Sequence, residues 1–175
     1  MKQILAVLFI TLSIAACKKT TPTTPITNDF KPLDDRLPKE SGEWNITDVS
    51  YDGVIVNPNN PNLSLPFNGT GQNISGFFKF QNNPNYGEFS ISFLAIANIG
   101  TSQPLTVPIT ESLGGQWKVN ENNDIVTVWR NDTVFDWQVL TNLETRQEWK
   151  TRFYLDFGSP YDSVAVNVKT TFVRK

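Results

Sequence analysis

From Trp44 to the C-terminus, apolar and polar residues alternate with a period of two. The strictest run is 148–157, where Trp149, Thr151, Phe153, Leu155 and Phe157 share one face and Glu148, Lys150, Arg152, Tyr154 and Asp156 the other. Successive strand side chains point to opposite faces, so this pattern predicts a half-buried strand. The last run repeats it, with Val164, Val166, Val168, Thr170, Phe172 and Arg174 facing one way against Asn167, Lys169 and Thr171. Phe135, Trp137 and Val139 alternate with Asp136 and Gln138, and Phe89, Ile91, Phe93, Ala95 and Ala97 form the apolar face of a long strand over 86–99. Gln116–Val119 and Ile125–Trp129 read as a hairpin around the turn Asn120–Asp124, and Phe78 and Phe80 mark another strand.

The first strand is expected to place Trp44, Ile46, Asp48 and Ser50 on one face, then to turn at Asp52-Gly53 into Val54–Val56. Residues 57–75, rich in Asn, Pro and Gly, read as the longest loop. Ser102–Ile109 carries Pro104 and Pro108, which demotes it to an edge strand or an irregular crossing. The helical period is confined to a single turn at Leu33–Leu37, opened by Pro32 and stopped by Pro38. About eight to ten strands in series, joined mainly by short turns, make an all-β meander whose edges must be covered or closed. An antiparallel up-and-down barrel with its apolar face inward meets that demand, and a two-sheet β-sandwich is the alternative.

The N-terminus is different in kind. Lys2 precedes an apolar run from Ile4 to Ile14, and Ala15-Ala16 precede Cys17, the single cysteine of the chain. A basic start, a short apolar stretch and small residues before a cleavage point describe a signal peptide, and the run is too short to span a bilayer. With the cysteine placed directly after the small residues, the segment resembles the bacterial lipobox. The resemblance implies that residues 1–16 are removed and that Cys17, as the first mature residue, carries palmitate-type acyl chains that hold the protein on the membrane. Residues 17–28 then form the lipidated cysteine and a Thr/Pro-rich tether, and 29–175 a single domain.

The order of features in that domain resembles the lipocalin-like domains of lipoproteins in Gram-negative bacteria. Gly42-Glu43-Trp44 opens the first strand after a short turn, and the terminal strand ends in Thr171-Phe172-Val173-Arg174. In such barrels the tryptophan closes one end and a late arginine packs across its ring, so the resemblance pairs Trp44 with Arg174. A desolvated guanidinium on an indole gains about 1–2 kcal/mol and keeps donors for nearby carbonyls.

Composition limits the chemistry. The chain has no histidine, and the resemblance assigns its one thiol to lipid, which removes His-based triads, cysteine nucleophiles and ordinary zinc or copper sites. Glu148 and Asp156 lie on the face opposite the aromatics, and Glu121–Asp124 match a hairpin turn better than a calcium loop. The formal charge of −2 and the lack of a basic block beyond Lys18-Lys19 argue against nucleic acid.

Five Trp, twelve Phe and four Tyr in a chain with 18% charged residues leave aromatics as the functional lead. Phe135, Trp137, Trp149, Phe153 and Phe157, if inward, either fill the barrel or line an apolar pocket. Trp117 and Trp129 are undetermined, and an exposed one could serve as a stacking platform. The expectation is a non-enzymatic envelope lipoprotein without metal or cofactor, held on the membrane by Cys17 and facing the periplasm from the outer membrane. It would bind a small apolar ligand or an envelope protein. Alternatives are an accessory subunit of an envelope assembly and a sugar-binding lipoprotein.

Overall fold

A computed structural model of the chain describes residues 27–28, 32–38, 42–57, 59–97, 104–156 and 163–175. In order they form β1 (Thr27–Asn28), α1 (Leu33–Arg36), β2 (Glu43–Asn57), β3 (Asn60–Thr70), β4 (Gln72–Gln81), β5 (Tyr86–Ala97), β6 (Leu105–Val119), β7 (Ile125–Arg130), β8 (Thr133–Asn142), β9 (Arg146–Asp156) and β10 (Ser163–Arg174).

The sheet closes on itself. Each strand from β4 onward pairs antiparallel with the next, and β10 returns to β2 over Val166↔Gly53 to Arg174↔Trp44. β3 and β4, separated only by Gly71, act as one bent strand against β2, so the wall is an eight-stranded up-and-down barrel. Closure excludes the sandwich, which requires two separate sheets packed face to face, because the strands form one sheet that returns to β2.

Two sequence expectations are corrected. In β2 the inward residues are Trp44 and Ile46, then Val49, Tyr51 and Ile55, while Asp48 is exposed and Ser50 only partly covered. A register shift opposite Thr171/Phe172 places one extra residue in β2 near Thr47-Asp48, and such a bulge reverses the alternation beyond it. β2 also runs straight through Asp52-Gly53 without a turn. The second correction concerns the expected loop over 57–75, most of which is β3 and the start of β4. Pairing with β2 from Ser50↔Thr70 to Val56↔Ser64 and burial of Phe67 override its Asn- and Pro-rich composition.

Pro108, expected at an edge or a crossing, lies inside β6, paired with β5 on one side through Leu94↔Pro108. On the other side, β6 meets β7 only from Gln116↔Trp129 to Val119↔Val126. Among the described residues, 105–115 therefore have no strand partner there. That is the position in which a residue without an N–H is tolerated.

The core is one aromatic cluster inside the barrel. Phe78 lies at its centre, with Phe89, Trp137, Trp149 and Phe172 within 4.7–5.6 Å between ring centroids. Most contacts are edge-to-face, the arrangement favoured by ring quadrupoles. Trp117 joins from β6, where its Nε1 donates to Gln81 O at 2.9 Å.

Candidate functional site

One end of the barrel is sealed by short elements. Gly42 has φ +62°, and a Cβ there would lie 1.9 Å from Phe80 O, so only glycine permits this entry into β2. Phe80 N donates to Gly42 O at 2.8 Å, which fixes the following Trp44 at the barrel mouth. The Trp44 side chain is fully buried, and its Nε1 donates to Leu37 O at 3.2 Å. The Arg174 guanidinium carbon sits 4.6 Å from the Trp44 ring centroid, and Nη2 donates to Arg36 O at 2.7 Å. α1 lies over this end with Leu33 and Leu37 buried. Pro32 sets its start and Leu37 N closes its turn on Leu33 O at 2.8 Å.

A polar chain threads the same end. Arg36 is 1% exposed, and its Nη1 donates to Asn142 O at 2.8 Å and to Asn142 Oδ1 at 3.1 Å. Gln147 Nε2 donates to the same Oδ1 at 2.9 Å, and Gln147 Oε1 accepts from Trp149 Nε1 at 3.2 Å. β1 adds a parallel pairing to β8 at Thr141 and Asn142. Sequence reasoning missed Arg36. The signal lay in Leu33-Asp34-Asp35-Arg36-Leu37, where the third residue after Leu33 returns to the face that Leu33 buries.

The opposite end has a notch in its wall. β6 and β9 are long, whereas the β7–β8 hairpin between them is short. Its β8 strand pairs with β9 only from Gln138↔Lys150 onward. Nearer the hairpin turn the two are held by Thr151 Oγ1 donating to Asp136 O at 2.8 Å. The space left is a cavity of about 530 Å³. Its inner lining includes Glu111 of β6, Phe135 of β8, and Thr151 and Phe153 of β9; Asp132, Arg152 and Tyr154 stand at the rim. Phe135 packs edge-on against Phe89 and Phe153 at 5.1 and 5.8 Å. Burial without a compensating partner pushes the Glu111 carboxyl above its ordinary range.

The pocket candidates thus divide. Trp137 and Trp149 are fully buried within the ring cluster, whereas Phe153, though buried, and Phe135, partly exposed, border the cavity. Phe157 and Cys17 lie outside the described residues. Glu148, set aside as an outer-face acid, accepts from Arg146 Nη2 at 2.6 Å and from Thr141 Oγ1 at 3.0 Å. Sequence reasoning also missed Glu111, whose inward position follows from its even spacing from Ile109 and Trp117.

Together, the sealed end, the filled middle and the notch define a small up-and-down β-barrel, of the size whose interior is filled by side chains or holds one small ligand. Comparison with protein-family models, with curated proteins and with solved structures finds no match for the chain.

Proposed function

We propose that this protein is a membrane-tethered, non-enzymatic, lipocalin-like lipoprotein of the bacterial envelope that binds a small, largely apolar ligand. Cys17 would carry the lipid, and the binding site would be the notch between β6 and β9. The observation that carries the reading is the bordering of that cavity by interior rings, Phe135 and Phe153, while the other end of the barrel is sealed by Trp44, Arg174 and α1. A volume of about 530 Å³ falls within the range of small-molecule sites. A non-enzymatic role accords with the absence of histidine and the assignment of the one thiol to lipid.

The test is native mass spectrometry of the full-length protein extracted from its own membrane in mild detergent. A small molecule retained by the wild type and lost on Phe135→Ala is the expected result. Wild-type protein that carries nothing, or an adduct indifferent to Phe135, would sink the reading.

A second reading, an accessory subunit that binds an envelope protein, is favoured by exposed apolar side chains on the outer wall. Val54, Val56, Val134 and Tyr154 are 51%, 46%, 55% and 67% exposed. The pairings Val166↔Gly53 and Ala165↔Tyr154 place Val54 and Tyr154 on either side of the Ala165 position. Apolar side chains gathered on one wall mark interaction surfaces in soluble proteins. Co-purification of one protein in fixed ratio, lost on Val54→Asp with Val56→Asp, neither of which borders the notch, distinguishes this reading from the first.

A further inference from the structure

A second groove lies on the outside of the barrel, away from the notch. Tyr86 of β5, Gln116 of β6 and Trp129 of β7 form one cross-strand row through the pairings Tyr86↔Gln116 and Gln116↔Trp129. All three point outward, since Gly87, Trp117 and Val128 beside them are buried. Two strand spacings separate the bases of the two aromatic side chains by about 10 Å. Between them stands the exposed Gln116 side chain. Gly114 shares the outward face of Gln116, and a Cβ there would lie 2.4 Å from Tyr86 Oη, so the tyrosine leans over a floor without a side chain.

The resulting cleft, of about 440 Å³, is bordered by Tyr86, Gly114, Trp129 and Arg130. On the other side of Tyr86 a second hollow of about 260 Å³ runs along Lys79, Gln81 and Glu88. Tyr86 lines both, so the two hollows flank its side chain, one toward β4 and the other toward β7.

We propose that this groove binds an acidic oligosaccharide, one pyranose seated between Tyr86 and Trp129 and the chain continuing past Tyr86 toward Lys79. The C–H face of a pyranose is apolar and carries slight positive charge, which suits the negative face of an indole or phenol ring. Its equatorial hydroxyls would reach the amides of Gln116 and Gln81. Arg130 and Lys79 line the groove, and Lys118 Nζ stands 5.6 Å from the Trp129 ring centroid. Glu43 and Glu88 flank Lys79 across the strands, so the positive charge is concentrated at the Trp129 end, on Arg130 and Lys118, where it favours uronic or otherwise anionic sugars.

The experiment titrates a galacturonate hexamer and the neutral glucose hexamer cellohexaose into the detergent-solubilised full chain, followed by calorimetry. The expected result is binding of the acidic hexamer at least about tenfold tighter than the neutral one, weakening as salt rises. Trp129→Ala and Tyr86→Ala should abolish it, the latter by removing the ring that flanks the sugar, while Tyr86→Phe should retain it. Both alanine variants lie outside the core, and melting curves check that they fold. No binding of either sugar, equal binding of the two, or binding unchanged in folded Trp129→Ala would overturn the assignment. Each of those outcomes leaves the notch reading standing, because Phe135 and Phe153 take no part in this groove.

Discussion

The Arg174 guanidinium lies 4.6 Å from the centre of the Trp44 ring and at the same time donates to Arg36 O at 2.7 Å. One side chain therefore joins the last strand, the first barrel strand and the helical turn that covers the barrel end. A lysine can supply the charge but not the planar fork that serves ring and carbonyl together. Arg174→Lys should cost about 1–2 kcal/mol, and Trp44→Ala, which empties a fully buried site, about 3–5 kcal/mol. Denaturant melts measure both. Neither variant, while folded, should alter the binding proposed for the notch or the outer groove; a selective loss of binding with unchanged stability would move the proposed function to the sealed end.

Arg36 and Asn142 make a second prediction. The guanidinium is buried and held by the Asn142 carbonyl and side chain, and Gln147 shares the same Oδ1. Removing one member leaves a desolvated donor or acceptor behind, so Arg36→Ala and Asn142→Ala should each cost about 2–4 kcal/mol. Because they act as one network, the double variant should lose clearly less than the sum. Full additivity in a double-mutant cycle would show that the residues do not depend on one another.

Glu111 gives a pH dependence with a definite sign. Burial raises its carboxyl above the ordinary value, so the folded protein holds the proton more tightly than the unfolded chain does. Between the unfolded and the folded pKa the native state binds more protons, and stability falls as pH rises through that window. Below the window the group imposes no charge penalty; above it, the penalty is complete. Glu111→Gln should therefore melt higher than wild type at neutral pH, with the gap closing in acid. A gap of constant size from acid to neutral pH would contradict the desolvation argument.

The sequence pattern resolved the parts of the barrel where alternation is uninterrupted. Trp149, Thr151, Phe153 and Leu155 all face inward, as their spacing requires, and closure follows from a meander with one apolar face. It failed where backbone irregularity decides the face. An extra residue near Thr47-Asp48 cannot be seen in a hydrophobic pattern, because the signal of a bulge is its register with Thr171/Phe172 on a distant strand. β3 was illegible for a related reason: its Asn and Pro residues read as loop, and only pairing with β2 makes the segment a strand. The notch depends on unequal strand lengths, so Phe135 and Glu111 became neighbours of one cavity only after pairing had set where β7 and β8 end.

Tyr51 shows how a side chain can replace a missing strand contact. β4 and β5 pair no further than Gln72↔Leu94, which leaves Ile96 beyond the ladder on that side. The Tyr51 hydroxyl accepts from Ile96 N at 2.7 Å and donates to Ile96 O at 3.2 Å, performing both halves of a backbone pairing. Its ring is held by Phe67 and Phe93 at 4.9 and 6.0 Å, so the hydroxyl is delivered by packing already present. Tyr51→Phe keeps that packing and removes the one atom that satisfies both groups. The expected cost is about 1–3 kcal/mol for two unpaired backbone groups in a partly buried place. Hydrogen exchange should locate it: the Ile96 amide should lose protection by far more than the Ile91 amide, which lies within the β4–β5 ladder. Equal loss at both positions would mean that Tyr51 stabilises the barrel as a whole, with no special hold on the end of β5.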